Sequence, residues 1–256
     1  MGKRIPGGNI MCSHFIILSS SYSAGERIAL DFTDVSEKMA QYIDSVIKKI
    51  KEQCGEDVSI SIHGVNADGS SWESVQKADP FFQGVRLIDS VPEFIETIKK
   101  DRSLTGLDVA KYTLSLVECT HLKLEKLVYL CYADYLCKTG KRLFEDKILA
   151  YKFGPVIDSV YKKYRIYGKD NIDEEEIMPK RKYSRSARSR ILFSEEGIQK
   201  ASSIITTLQK YGSLDANSLV TLTHKDGAPW THYDSSLSDQ EMTDDIIRKY
   251  HSFETI

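Results

Sequence analysis

The stretch "LKLEKLVYLCYADYL", residues 122–136, decides the fold of the C-terminal part of this chain. Its apolar residues recur at three- and four-residue intervals, which is the spacing of one face of an α-helix. The stripe consists of Leu124, Leu127, Val128, Cys131 and Tyr135. Gly140 follows and predicts the end of the helix. The pattern therefore predicts a long helix that packs against other helices.

The helical period begins at about residue 104 and continues to the end of the chain. Proline is favoured at the first position of a helix, so Pro155 predicts a helix start. A capping box formed by Ser238 and Glu241 predicts the start of the last helix. Between these helices, the polar segment from Asp173 to Arg190 is expected to form a long loop or an exposed hairpin.

The first hundred residues have a mixed pattern. Val58, Ile60 and Ile62 alternate with polar residues, as in a half-buried strand, and a capping box of Asp34 with Glu37 predicts a helix start. We therefore predict an α+β fold, with a small α/β domain at residues 1–103 followed by a mainly helical domain at residues 104–256. Residues 1–10 are expected to be flexible or tag-like.

Composition excludes several classes of protein. Of the 256 residues, 41% are hydrophobic, which is enough for a buried core in each domain, and the net charge of −2 gives no overall field that would attract nucleic acid or a membrane surface. No apolar run is long enough to span a membrane, and no leader pattern is present, so a cytoplasmic protein is expected. The five cysteines are an odd number with no zinc-site spacing and are expected to be buried, reduced thiols.

Signatures of common enzymes are absent from the sequence. It contains no phosphate-binding glycine loop, no nucleophile elbow and no paired histidines of a zinc protease. The six histidines do not share a helical face at the spacing that metal binding requires. We expect no catalytic residues, no metal and no cofactor. An enzyme with an unrecognised site stays an alternative.

The basic run "PKRKYSRSARSR", residues 179–190, is the candidate for nucleic-acid binding. Its cations could neutralise phosphates, but a solvated loop, which could pair with the preceding acidic run across a hairpin, is the simpler interpretation. Binding to a negatively charged protein or to RNA is the alternative. The candidate residues are Lys180, Arg181, Lys182, Arg185, Arg188 and Arg190.

Three segments together resemble the Panacea domain, the SocA-like antitoxin domain that also occurs in phage-associated GepA-type proteins. They are the stretch from Leu122, "KILAYKFGPVIDSVYKKYRIYG" from Lys147, and "LVTLTHKDGAPW" from Leu219. The resemblance covers roughly residues 104–253. Glu125 stands where the family typically has glutamine. The resemblance implies an antitoxin that neutralises a protein toxin by direct contact. The order of the two domains alone motivates the hypothesis that the N-terminal domain selects the partner.

The resemblance also supplies candidate residues for partner binding. Aromatic side chains near an exposed helix start are typical anchors for a partner, and the tryptophan at the exit of the third motif is expected to lie beside the Gly-Pro corner of the second. A purely architectural role is the alternative, with the lysines and tyrosine of the first motif on a helix rim. The candidates are Lys123, Lys126, Tyr129, Phe153, Gly154, Pro155, Tyr161, Tyr164, His224, Lys225, Pro229 and Trp230.

The sequence therefore predicts a non-enzymatic antitoxin whose partner is a protein toxin. Two alternatives use the same domain. In the first, the protein is a proteolytic adaptor that delivers the toxin or another cargo to a protease such as a Clp-type machine. In the second, it is a nucleic-acid-binding regulator that uses the basic run.

Overall fold

The computed structural model describes residues 11–22, 24–33, 36–173, 180–234 and 240–256, with the side chains of 180–184 left out. The chain divides into two compact units at residues 1–102 and 103–256. The predicted mixed α+β fold with a helical C-terminal region is confirmed. None of the helices within the described residues is both long and apolar enough to cross a membrane.

The N-terminal unit is a four-stranded sheet with helices on both faces. The strands are β1 (Cys12–Ser21), β2 (Glu26–Thr33), β3 (Ile60–Ala67) and β4 (Val85–Leu87). The helices are α1 (Glu37–Cys54), α2 (Trp72–Ala78) and α3 (Val91–Arg102). The strand order is β3-β1-β2-β4, in which β1 pairs antiparallel with β2 and β3, and β2 pairs parallel with β4.

Alternation along the central strands builds a core on each face of this sheet. Ile17 and Ile28 belong to the core that α1 and α3 complete, whereas Ile16 and Ala29 belong to the core beneath α2. Neighbouring residues point to opposite faces because a strand has a period of two residues. Both faces of the central strands are therefore buried.

The start of α1 differs from the prediction. Ser36, not Asp34, caps the helix, and its side chain accepts a hydrogen bond from the N–H of Met39. Asp34 lies outside the described residues. The helix ends at Gly55, whose N–H bonds the carbonyl of Lys51.

The C-terminal unit surrounds one buried helix, α5, with shorter helices. The helices are α4 (Gly106–Leu114), α5 (His121–Thr139), α6 (Asp158–Tyr164), α7 (Lys180–Leu192), α8 (Gly197–Tyr211), α9 (Ala216–Thr223) and α10 (Asp244–Tyr250). Its small sheet consists of β5 (Ile148–Tyr151), β6 (Gly154–Ile157) and β7 (Gln240–Glu241) in the order β6-β5-β7. The predicted helix end at Gly140 is confirmed, because this glycine adopts the left-handed conformation after α5.

Three expectations for this unit are wrong. Pro155 lies in strand β6 and does not start a helix, which begins at Asp158 instead. The basic run forms helix α7, where a loop or hairpin is predicted. Thr243, not Ser238, caps the last helix. Glu241 lies in β7, and Ser238 lies outside the described residues.

The hairpin of β5 and β6 explains the error at Pro155. Tyr151 pairs with Gly154 and Ala150 pairs with Pro155, so Lys152 and Phe153 form a tight turn. Proline is tolerated in a strand only where its missing N–H is not needed, as on the outer strand of a sheet. β6 is an outer strand of its sheet, so its proline fits there as well as at a helix start.

Candidate functional site

The three motif segments meet at Gly154. This glycine has φ of 99°, a backbone conformation that residues with a side chain rarely adopt. A Cβ atom at this position would lie 3.0 Å from Lys126 Nζ, His224 Cε1 and Thr223 Oγ1. These three atoms come from the first and third motifs. Gly154 is therefore the point at which α5, the hairpin and the end of α9 are in closest contact.

Two adjacent side chains of α5 hold the hairpin by its backbone. Lys126 Nζ donates a hydrogen bond to the carbonyl oxygen of Pro155 at 2.7 Å, and the N–H of Ile157 donates to Glu125 Oε2 at 3.0 Å. Both side chains are fully buried. Burial raises the pKa of Glu125 and lowers the pKa of Lys126, because it penalises the charged form of each group.

The third motif closes over the hairpin from the other side. Trp230 Nε1 donates to the carbonyl oxygen of Tyr151 at 2.8 Å, and its ring lies 3.8 Å from that of His224. His224 Nδ1 bonds the carbonyl of Val220 at 2.7 Å. Burial lowers the pKa of His224, so the ring is neutral at neutral pH. The prediction that this tryptophan lies beside the Gly-Pro corner agrees with these contacts.

Several candidates for partner binding are buried and therefore inaccessible. The helix-rim interpretation is wrong for Lys126 and Tyr129, which are 0% exposed. Tyr164 is also 0% exposed, although it was expected near an exposed helix start. Gly154, Pro155 and Pro229 are buried as well. Among the motif lysines, only Lys126 is fully covered, whereas Lys123 is half-buried.

Four of the accessible candidates form a surface around the turn of the hairpin, together with three residues outside the predicted set. We call it the hairpin surface and define it as Tyr151, Lys152, Phe153, Tyr161, Arg165, Lys225 and Trp230. Phe153 is 61% exposed at the tip of the turn. Tyr151 and Tyr161 contact each other edge to face, with ring centroids 5.5 Å apart. Large apolar rings held by a rigid hairpin are suited to anchor a protein partner.

Positive charge lies beside these rings. The ammonium of Lys152 lies 5.6 Å from the ring centroid of Phe153, and the guanidinium of Arg165 lies 5.9 Å from that of Tyr161. Lys225 Nζ donates to the carbonyl of Thr255 at 3.3 Å and stays exposed. The exposed carboxylate of Asp226 follows Lys225 in the chain. Positive charge thus exceeds negative charge on the hairpin surface.

A buried polar network lies behind this surface, and the sequence gives little sign of it. His251 Nε2 bonds Asp134 Oδ1 at 2.7 Å, and its Nδ1 bonds Glu254 Oε1 at 2.8 Å. Tyr129 donates to the same oxygen of Glu254, and Thr207 donates to Asp134. Burial would lower the pKa of His251, but the hydrogen bonds to the two carboxylates raise it to about 9. The network ties the C-terminal residues to α5 and α8.

Only some of the described cationic side chains of the basic run are exposed to solvent. Arg185 and Arg188 are exposed on α7. Arg190 is buried, where it donates to the carbonyl of Ser103 and pairs with Asp108 at 3.3 Å. The side chains of Lys180, Arg181 and Lys182 lie outside the described residues. Nucleic-acid binding by this run stays a prediction, with Arg190 removed from the candidate set by its structural contacts.

The cysteines agree with their predicted role except at one position. Cys54, Cys119 and Cys131 are buried free thiols and Cys12 is also buried, whereas Cys137 is exposed. Within the described ranges, no group of three or more histidine, cysteine, aspartate or glutamate side chains could hold a metal ion.

Tyr151, Lys152 and Arg165 belong to the hairpin surface but are absent from the predicted set. The sequence pattern that could have identified them is the run of aromatic and basic residues on both sides of the Gly-Pro pair. The prediction of a helix start at Pro155 does not place these residues in a turn, whereas the observed hairpin brings Lys152 and Phe153 to its tip.

Comparison with protein families identifies the C-terminal part of the chain. Residues 124–231 match the model of the antitoxin SocA-like Panacea domain, so this part of the chain carries a domain of that family. The match includes all the contacts at Gly154. The family supports a general role in a toxin–antitoxin system. The comparisons with curated proteins and with solved structures gave no match.

Proposed function

We propose that this protein is an antitoxin that neutralises a protein toxin by binding it directly through the hairpin surface. Two lines of support are independent of each other. The family match covers the residues that build the hairpin and its supports. The hairpin then carries the most exposed aromatic side chain of the C-terminal unit's described residues, Phe153. We further propose that neutralisation involves contact alone, without catalysis by this chain.

Rigidity of the hairpin supports a docking role. Its backbone is held by Glu125 and Lys126 on one side and by Trp230 on the other. A side chain on a fixed backbone loses little further conformational freedom on binding, which favours affinity. The excess of cations around the rings favours a partner whose docking face is acidic, because charge complementarity accelerates association and excludes wrong partners.

The test is a growth assay with the product of the neighbouring open reading frame, provided that this product is toxic on its own. Co-expression of the wild-type chain should restore growth, and Phe153→Asp should abolish the rescue. Phe193→Asp is the matched control, because Phe193 is 42% exposed in the turn that follows α7. The control should rescue growth as well as the wild-type chain does.

Two results would overturn the proposal. Rescue by Phe153→Asp at wild-type level would exclude the hairpin surface. A toxin level that falls when the wild-type chain is co-expressed, and recovers when the host protease is deleted, would favour a proteolytic adaptor over blocking by contact.

A further inference from the structure

The two outer strands of the N-terminal sheet differ in how well they are protected. β4 has only three residues, and its Arg86 pairs with Glu26 at 2.7 Å and with Glu93 at 3.6 Å. β3 has eight residues, with the sequence ISIHGVNA, and contains no charged residue and no proline. Proteins usually shorten, charge or interrupt an outer strand to prevent pairing with another chain. β4 has this protection and β3 lacks it.

β3 also has an unused row of backbone hydrogen-bonding groups. It pairs with β1 along its whole length, and no other strand within the described residues pairs with it. In an antiparallel pair, alternate residues direct their N–H and C=O groups away from the partner strand. The outward groups of β3 can therefore accept a further strand.

Exposed apolar surface lies directly beside this row. Ile62 pairs with the buried Ile17 and is on the same face of the sheet, yet it is 50% exposed. Ile60, on the same face, is only partly buried. A strand added to β3 would cover Ile62 and extend the core beneath α1 and α3.

We propose that β3 pairs antiparallel with β3 of a second copy of this chain, which joins the two sheets into one. A two-fold axis perpendicular to the sheet brings the same face of each copy to the same side, and one register places Ile62 opposite Ile62 of the second copy. Identical strands that carry charge would repel each other in this arrangement, but β3 carries none. The two paired strands are identical, so they also match in length, and each copy contributes eight residues.

The test is the mass of the full-length chain in solution, measured by sedimentation over a range of concentrations. The wild-type chain should dimerise. Ile62→Lys should weaken dimerisation by about tenfold or more, because it places like charges opposite each other. Ile198→Lys is the matched control, since Ile198 is 79% exposed on α8, and it should dimerise like the wild type. Circular dichroism checks that each variant is folded.

Hydrogen exchange of the wild-type chain gives a second, mutation-free test. Amides of β3 should exchange more slowly at high protein concentration than at low concentration, while amides of β4 should not change. A wild-type chain that stays monomeric would overturn the proposal. So would an equal response of both lysine variants, or dimerisation that leaves exchange in β3 unchanged. Growth rescue by Ile62→Lys tests the proposed antitoxin function and not the proposed dimer, because Ile62 lies outside the hairpin surface.

Discussion

Phe153 and Gly154 are neighbours in the chain but belong to regions with opposite properties. Gly154 is buried at the meeting point of three segments, whereas Phe153 is 61% exposed at the tip of the turn. Residues that carry the family resemblance, such as Lys126 and His224, surround the glycine. The difference indicates that these motifs chiefly build the hairpin, and that contact with a partner depends on the side chains the hairpin displays.

The largest effect is expected from Lys126→Ala in the buried region. The change removes the donor to the Pro155 carbonyl and leaves an empty space where the fully buried side chain lay. Truncating a fully buried long side chain and leaving its hydrogen-bond acceptor unpaired costs about 4 kcal/mol of unfolding free energy. Lys123→Ala, on the same helix but half-buried, should cost less than about 1 kcal/mol. Urea denaturation measures both, and equal losses would contradict the buried role of Lys126.

Gly154→Ala should have the next largest effect. A methyl group would strain the backbone and would lie 3.0 Å from three neighbouring atoms, for a total cost on the order of 3 kcal/mol. Gly140→Ala separates the two causes, because Gly140 has φ of 73° with no atom within 4 Å. Its cost should be only about 1 kcal/mol, from backbone strain alone. If the two variants have similar melting temperatures, the atoms around Gly154 move aside for the methyl group at little cost in free energy.

The His251 network should make stability depend on pH. Its folded pKa of about 9 exceeds the unfolded value of about 6.5, so protonated His251 contributes its stability fully below pH 6.5 and loses it as the pH rises through 9. His251→Gln should therefore cost roughly 2 kcal/mol or more at pH 6 and much less at pH 10.

Denaturation of both chains across this pH range measures the difference. His232→Gln replaces an exposed histidine and serves as the control for loss of an imidazole outside the network. A penalty for His251→Gln that stays constant with pH would show that the ring acts only by packing and by neutral hydrogen bonds.

Phe153→Ala should have the smallest effect on folding. An exposed side chain contributes within about 0.5 kcal/mol to unfolding free energy, so the melting temperature should stay close to that of the wild type. A large loss of stability would place Phe153 among the residues that build the hairpin and would remove the contrast with Gly154.

The sequence predicts the elements of this fold better than their ends and exposure. The apolar stripe of α5 and the stop at Gly140 are strong local signals, and both agree with the structure. Helical spacing predicts an exposed Lys126 only for a helix that has one exposed face. Neighbouring elements cover α5 around Lys126, so the prediction fails there. Spacing along one helix carries no information on how many neighbours cover it.

The candidate site shows the same limit. Trp230 is predicted to lie beside the Gly-Pro corner, and the hydrogen bond from Trp230 to Tyr151 agrees. Pro155 fits both a helix start and an outer strand, and only pairing between β5 and β6 decides between them. The charged network joins His251 and Glu254 to Asp134, which lies 117 residues before His251, so no local pattern predicts the whole network.

The most direct test is the affinity of the purified chain for the toxic neighbour, measured by calorimetric titration for the wild type and for Phe153→Ala. If the displayed ring anchors the partner, the dissociation constant should rise at least about tenfold, which corresponds to roughly 1.4 kcal/mol, while the melting temperature stays unchanged. An unchanged dissociation constant in a folded variant would contradict the hairpin surface as the docking site.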